Sequence, residues 1–324
     1  MLAAITLVTW NGARVWRAWQ GVERVEFDLV LARDRLSQTP AGSAKAPLAT
    51  TLITEEYDTV LAIGSDERPI DQVDRQTGIF ADAVILFLRP NSGEDPLLVS
   101  LPRDLIVTDP CTGRPTKLNR TLNGCGDEVS GAEHVALAVE DFTGIAVDHY
   151  AEFGFDAFEA TIDAVGGVEI CVEAALRDFS PELLREGNPD LVPAGCSVLD
   201  GDTALRWIRS RTTQELVDGE WHFVEGVSDA TRASRQQQMI LALLGQLMEI
   251  RSPASLAAAA EHIGGGVVFD ESLSFGEAVA MVWGLRGIPA SQIRRVFIPT
   301  EPAVLDDGSF ALRATDRFAV LIGG

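Results

Sequence analysis

Three apolar runs of strand length, at residues 59–63, 83–88 and 97–101, each reach a Gly or Pro within two residues, and such punctuation closes a strand. Shorter strands are expected near 149–153, 168–172 and 295–298. Between them the apolar residues switch to helical spacing, at 132–142, 155–164, 202–208, 231–250, 255–262 and 274–285, where one face recurs every three to four positions. Strands interleaved with helices imply a sheet covered by helices, an α/β fold. With 324 residues, 46% of them hydrophobic, the chain can bury a substantial core. No internal repeat appears. A Pro, Ala, Ser and Gly segment at 39–47 follows a helical lead, so residues 1–50 read as a membrane-proximal lead and linker, and 51–324 as one domain closed by a hairpin or tail.

The opening ten residues, MLAAITLVTW, are apolar and then give way to Asn11, Arg14 and Arg17. A membrane span needs about twenty apolar residues. The stretch is therefore either a short amphipathic lead-in or the remnant of a longer signal anchor in the cytoplasmic membrane, and the anchor is the expectation. Cys111 with Cys125, and Cys171 with Cys196, form two couples that are local in sequence, and neither has C-x-x-C spacing. Each brackets a loop-like segment containing Gly, Pro and Asn, which favours two disulfides outside the cytosol over four buried thiols.

A formal net charge of −22 argues against binding nucleic acid or an anionic membrane surface, since either needs a cationic footprint. Yet Arg206, Arg209, Arg211, Arg232 and Arg235 fall within about thirty residues. Arg232 and Arg235 sit in the first turns of a helix opening at Asp229, where the dipole is already positive and the two side chains share a face. A bound phosphate, held by guanidinium forks and a helix N-terminus, is the expected compensation; the alternative is that a composition rich in Arg and poor in Lys fills a solvated face. Arg209 and Arg211 close a shorter helix begun at Asp200, where cations suit the C-terminal dipole.

Asp66 follows the first strand and Asp82 opens the second; carboxylates leaving sheet ends suit a hard divalent cation. In Ser100-Leu-Pro-Arg-Asp104 the proline ends pairing and projects Arg103 and Asp104 from the sheet. Lys117, one of the chain's two lysines with Lys45, and Asn119 lie between the first cysteine couple. The four histidines, His134, His149, His222 and His262, stand far apart, which suggests neither a His-based metal site nor a Ser-His-Asp triad.

In this order the motifs resemble the LytR-CpsA-Psr family. The matches are Ile63-Gly-Ser-Asp66, Asp82, Ser100-Leu-Pro-Arg-Asp104, Lys117-Leu-Asn119, Phe153-Gly-Phe155, Asp163-Ala-Val-Gly-Gly-Val168, Leu199-Asp-Gly201, Arg209-Ser-Arg211, and Arg232 with Arg235-Gln-Gln237, covering 51–250. The resemblance implies a three-layer α/β/α sandwich with a mixed central sheet. It also implies a membrane-anchored, extracytoplasmic enzyme that moves a glycan from a polyprenyl pyrophosphate carrier to peptidoglycan through a phosphodiester, with Mg2+ as cofactor. Carried over by position, Asp66 and Asp82 address the metal. Arg103, Arg209, Arg211, Arg232 and Arg235 hold the phosphates, supported by Gln236, Lys117, Asn119 and Arg68. Asp104 is the candidate base. The cysteine couples are similar to those of actinobacterial members. Phe142, Phe153, Phe155, Phe158 and the 240–247 helix face are candidates for a lipid groove or for ordinary core.

The chain departs from the family at Phe80-Ala-Asp-Ala83, where members read Arg-Ser-Asp-Thr. One cation and two hydroxyls are lost, with Arg68 or Arg75 as candidates to fill the gap. A second expectation follows: a non-catalytic polyprenyl phosphate binder in wall assembly.

Overall fold

The computed structural model describes residues 12–38, 52–65, 81–180, 190–224, 229–249, 261, 266–285 and 288–323. The expected linker at 39–47, most of the expected helix at 255–262, and Asp66, Arg68 and Arg75 lie outside the described residues. The chain forms two compact units. A sheet unit comprises Glu23–Gly154, Val268–Ala278 and Ser291–Gly324; an arginine unit comprises Met1–Val22, Phe155–Val267 and Val279–Ala290.

The sheet unit is built on a seven-stranded sheet in the order Glu23–Val25, Val267–Asp270, His149–Phe153, Tyr57–Ser65, Ala81–Pro90, Leu97–Leu101, Arg294–Phe297. Tyr57–Ser65 runs antiparallel to Ala81–Pro90, which runs antiparallel to Leu97–Leu101. The pairings of Tyr57–Ser65 with His149–Phe153, and of Leu97–Leu101 with Arg294–Phe297, are parallel, so the sheet is mixed as expected. Burial alternates along Tyr57–Ser65, with Thr59, Leu61, Ile63 and Ser65 inward, whereas all of Leu97–Leu101 is buried. A strand covered on both faces reads as a continuous apolar run.

The helix Gly131–Thr143 begins at a capping box, in which Ser130 accepts from the Glu133 amide and the Glu133 carboxylate accepts from the Ser130 amide. Its Val135, Ala136 and Val139 share one core with Leu61, Ile63, Leu86 and Val99. Glu140 is buried in the same helix, accepts from the Val147 amide at 2.9 Å and pairs with Arg33. Burial raises its carboxyl above the usual range despite both partners. The Cys111–Cys125 disulfide forms in this unit, as does the closing hairpin Thr300–Val304 with Phe310–Ala314.

A second buried carboxylate fixes the sheet edge. Asp270 accepts from the Tyr150 and Leu273 amides and from Ser272 Oγ, and faces His149 Nδ1 at 3.2 Å. Burial pulls the imidazole down, but the hydrogen bond and charge of Asp270 outweigh it, and the His149 pKa is raised. A raised folded-state value means the contribution is complete below about pH 6.5 and is lost as pH rises through the folded pKa. Urea unfolding at a series of pH values is therefore expected to show wild-type stability falling from pH 6 to 9, and His149→Gln to remove that fall.

In the arginine unit the helices Phe155–Ala164, Gly201–Arg209 and Asp229–Glu249 contribute Ile162, Ala204, Trp207 and Met239 to one core. Val168, Ile170 and Leu199 join them from the antiparallel strand pair Val168–Val172 and Gly195–Leu199. Cys171 stands opposite Cys196 in that register and bonds to it, so both expected disulfides form. This pairing needs the Gly166-Gly167 turn that leads into Val168–Val172: a Cβ at Gly167, whose φ is +90°, would lie 2.5 Å from Val198 Cγ1 and 2.8 Å from the Leu199 carbonyl oxygen. A four-stranded sheet, Asp190–Val192, Leu176–Asp178, Thr213–Val217 and Glu220–Phe223, was not foreseen from the pattern. No helix among the described residues is long and apolar enough to cross a membrane.

Candidate functional site

In the sheet unit Asp82 is set by a register shift. Gly64 stands opposite Ala83 and Ser65 opposite Ala81, leaving Asp82 as the extra residue of a β-bulge. Bulges re-aim a side chain without ending the strand. Asp82 Oδ1 accepts from Arg103 at 2.7 Å. Arg103 and Asp104 occupy the turn after Pro102, which is closed by the Leu105 amide on the Pro102 carbonyl and tied to the next segment by Asn119 N–H on the Arg103 carbonyl. That tie brings Lys117 Nζ to 3.0 Å from Asp104 Oδ1, while Arg103 Nε lies 3.4 Å from Asp104 Oδ2. Asp104 is thus a buried carboxylate between two cations. Lys117 ends the strand Pro115–Lys117 and Asn119 lies buried in the 3-10 helix Leu118–Asn123, rather than in an open loop.

Three buried polar atoms there, Ser65 Oγ, Asn119 Oδ1 and Arg103 Nε, have no hydrogen-bond partner among the described residues. A carboxylate re-aimed by a bulge, with an orphaned hydroxyl at the neighbouring strand position, offers the hard oxygen donors Mg2+ takes. Of the two carboxylates expected to bind it, Asp82 is described and Asp66 is not. The His, Cys, Asp and Glu groups close enough to share a metal, among the described residues, are Cys111, Cys125 and His134, and Glu169, Cys171 and Cys196. Their sulfurs are consumed in the two disulfides.

In the arginine unit each cation has its own setting. Asp200 caps the helix Gly201–Arg209 by accepting from the Thr203 amide at 2.9 Å. Arg206 pairs with Asp202 one turn back on the same helix. Arg209 ends the helix with its guanidinium 4.0 Å from the centroid of the Phe155 ring, a cation–π contact. Arg211 lies past the helix end in the following turn, exposed, and has no hydrogen-bond or ion-pair partner among the described residues. The helix expected to open at Asp229 does so and carries Arg232, buried at 7% exposure, and half-buried Arg235 and Gln236. Burial first, then the charge of Arg232, pulls the Arg235 guanidinium down to about 10, against the opposing pull of Asp178.

The aromatic residues read as lipid groove or core divide. Phe142 packs on the sheet-unit core, edge-on to Phe318, and Phe158 packs on the arginine-unit core with Leu243. Phe155 lies under Arg209 instead. What the pattern of residues missed is the bulge at Asp82 and the turn that joins Lys117 to Asp104; neither leaves a mark in the one-dimensional sequence.

Curated relatives resemble the chain over about two thirds of its length. The chain is 31% identical over 243 residues to the cell wall biosynthesis protein LcpA of Corynebacterium glutamicum, covering 68% of this chain and 41% of that protein. It is 26% identical over 212 residues to the polyisoprenyl-teichoic acid–peptidoglycan teichoic acid transferase TagU of Oceanobacillus iheyensis, covering 65% and 58%. The chain therefore spans about two fifths to three fifths of the length of these relatives. The fold is that of the LytR-Csp2A-Psr enzyme from Actinomyces oris, with a TM-score of 0.62 at 22% identity over 85% of this chain and 95% of that one. The family model described as LytR_cpsA_psr family matches residues 34–317. Since that span takes in the bulge at Asp82, the Arg103 turn and every arginine from Arg206 to Arg235, the chain belongs to the LytR-CpsA-Psr family.

Proposed function

We propose that the chain is an extracytoplasmic glycopolymer phosphotransferase, which takes a glycan from a polyprenyl pyrophosphate carrier and joins it to peptidoglycan by a phosphodiester. One observation carries the reading: in a chain of net charge −22, Arg209 and Arg211 are exposed on either side of Ser210, and Arg211 has no hydrogen-bond or ion-pair partner among the described residues. Guanidinium groups set close together and open to solvent suit an anion; a charge pair at 4 Å is worth about 4 kcal/mol at an effective dielectric near 20. A diphosphate presents about two negative charges in the span of a guanidinium cluster. The names of the relatives, a cell wall biosynthesis protein and a teichoic acid transferase, support the same substrate class.

In this reading an acceptor hydroxyl on peptidoglycan attacks the phosphorus next to the glycan. The new O–P bond replaces the bond to the carrier, polyprenyl phosphate leaves with its electron pair, and the proton of the attacking hydroxyl passes to the departing phosphate or to solvent water. Arg209, Arg211 and Arg232 are assigned to the phosphate oxygens, where fixed cations stabilise charge that grows as the carrier departs. Mg2+, when bound, supplies further neutralisation of the diphosphate. Asp82 is assigned to hold it, joined by Asp66 on the strength of the resemblance, with Arg103 orienting the Asp82 carboxylate. Asp104, whose oxygens already face Arg103 and Lys117, is assigned to fixing those two cations. The disulfides favour an oxidising compartment, and the apolar opening of the chain is assigned to a membrane anchor.

The test is direct. Protein incubated with a polyprenyl-pyrophosphate-linked glycan, peptidoglycan and Mg2+ is expected to release polyprenyl phosphate and to leave glycan on the wall polymer; EDTA is expected to stop both. Retention of the lipid with no release under Mg2+ selects the second reading, a non-catalytic carrier binder. That reading draws on Phe80 and Ala83, which supply neither the cation nor the hydroxyl the family has there.

A further inference from the structure

Arg235 points back into the protein. Its NH1 donates to the Trp207 carbonyl at 2.7 Å and to Thr213 Oγ1 at 2.9 Å, and its NH2 donates to the Ser210 carbonyl at 2.5 Å. Both carbonyls lie at the end of the helix Gly201–Arg209, in its last turn and at its C-cap. The last carbonyls of a helix have no intrahelical donor, and a cation at that terminus also meets the negative end of the dipole. The turn beyond is fastened from the other side. Ser210 Oγ and Thr213 Oγ1 share a hydrogen bond at 2.7 Å, Thr212 Oγ1 donates to Asp178 Oδ1 at 2.5 Å, and the Ser180 amide donates to the same oxygen at 2.8 Å. Ser210 and Thr213 are buried, whereas Arg209 and Arg211, which flank Ser210 along the turn, are exposed. The turn therefore presents two guanidinium groups outward from a backbone that Arg235 holds.

We propose that Arg235 is a positioning residue, which clamps the turn of Arg209 and Arg211 and acts on the phosphate substrate through them rather than by touching it. This rests on the phosphate-binding reading above. Only a guanidinium can make this clamp, because its planar fork spans two carbonyls and a hydroxyl at once, which the single ammonium of Lys cannot do. With its pKa drawn down to about 10 the group still keeps its proton, and so all its donors, at neutral pH.

A double-mutant cycle on the full chain decides it, with inorganic pyrophosphate as the calorimetric probe. Arg235→Gln is expected to weaken pyrophosphate binding about tenfold in the wild-type background. In the Arg209→Ala/Arg211→Ala background the same change is expected to alter affinity by less than about twofold, because the residues it acts through are gone. Equal weakening in both backgrounds means Arg235 touches the anion itself and overturns the proposal. Amide exchange supplies the second readout: residues 210–213 are expected to exchange faster in Arg235→Gln and unchanged in Arg211→Ala, and unaltered exchange in Arg235→Gln also overturns it. Should Arg235→Gln fail to fold, Arg235→Lys, which keeps the charge but not the fork, takes its place with the same expectations at smaller size. If the wild-type chain binds no pyrophosphate, the phosphate reading falls and the positioning role with it, while the exchange experiment still reports whether the clamp exists.

Discussion

Arg211→Ala is expected to lower the rate of glycan transfer by about a hundredfold or more, the loss typical of removing one fixed group that stabilises transition-state charge. It is expected to leave unfolding stability within about 0.5 kcal/mol of wild type, since exposed side chains with no packing role seldom move it further. The separation of the two effects follows from where Arg211 sits: past the end of its helix, exposed, in a turn whose fastening comes from Ser210, Thr213 and Arg235. Arg206→Ala is the matched control. It removes the same charge from the helix that leads into this turn, but that charge is already paired with Asp202, so transfer is expected to stay within about twofold and stability to fall by about 0.3–0.5 kcal/mol, the worth of such a helical pair. A steady-state assay of released polyprenyl phosphate, with urea unfolding of each variant, measures both quantities. Full activity in Arg211→Ala, or equal losses in the two variants, would leave the arginines as a generic cationic surface.

The elements legible in the sequence were those marked by an apolar run or by a regular apolar period. Leu97–Leu101, His149–Phe153, Val168–Val172 and the helix Phe155–Ala164 fall where periodicity set them, and Tyr57–Ser65 and Ala81–Pro90 extend the expected runs by about two residues at either end. The strands of the four-stranded sheet were not legible, because they are short and each gives at most two buried positions. One of them did carry a signal: Asp218-Gly219, both with positive φ, is the two-residue turn that joins Thr213–Val217 to Glu220–Phe223. The candidate site shows the same division. Residue type and order gave the arginines, since scarce cations stand out in an acidic chain. What each guanidinium does was hidden, because Arg235 spends its donors on backbone carbonyls, and a carbonyl has no letter in the sequence.

Gly201→Ala is expected to destabilise the arginine unit by about 3 kcal/mol, at the upper end of what overpacking costs when the obstacle is backbone. Gly201 is the first residue of the helix that ends at Arg209, and it lies against the helix Phe155–Ala164. A Cβ there would stand 2.4 Å from the Glu159 carbonyl oxygen and 2.7 Å from Glu159 Cα, neither of which can rotate away. The Gly201 amide also donates to Asp163 Oδ1 at 2.8 Å, so the two helices are held at the contact the methyl group would force apart. Interiors packed at crystal-like density pass such a shift along, and it would reach Trp207 and the turn that Arg235 grips at the far end of the helix. Gly245→Ala is the contrast. It lies within the helix Asp229–Glu249 with no heavy atom within 4 Å of its would-be Cβ, and there the methyl group is expected to add up to about 1 kcal/mol of helix propensity. Urea unfolding of both variants with the disulfides intact should give changes of opposite sign. A neutral Gly201→Ala would mean that the helices can separate freely at this crossing, and that the geometry of the arginine turn is not set by it.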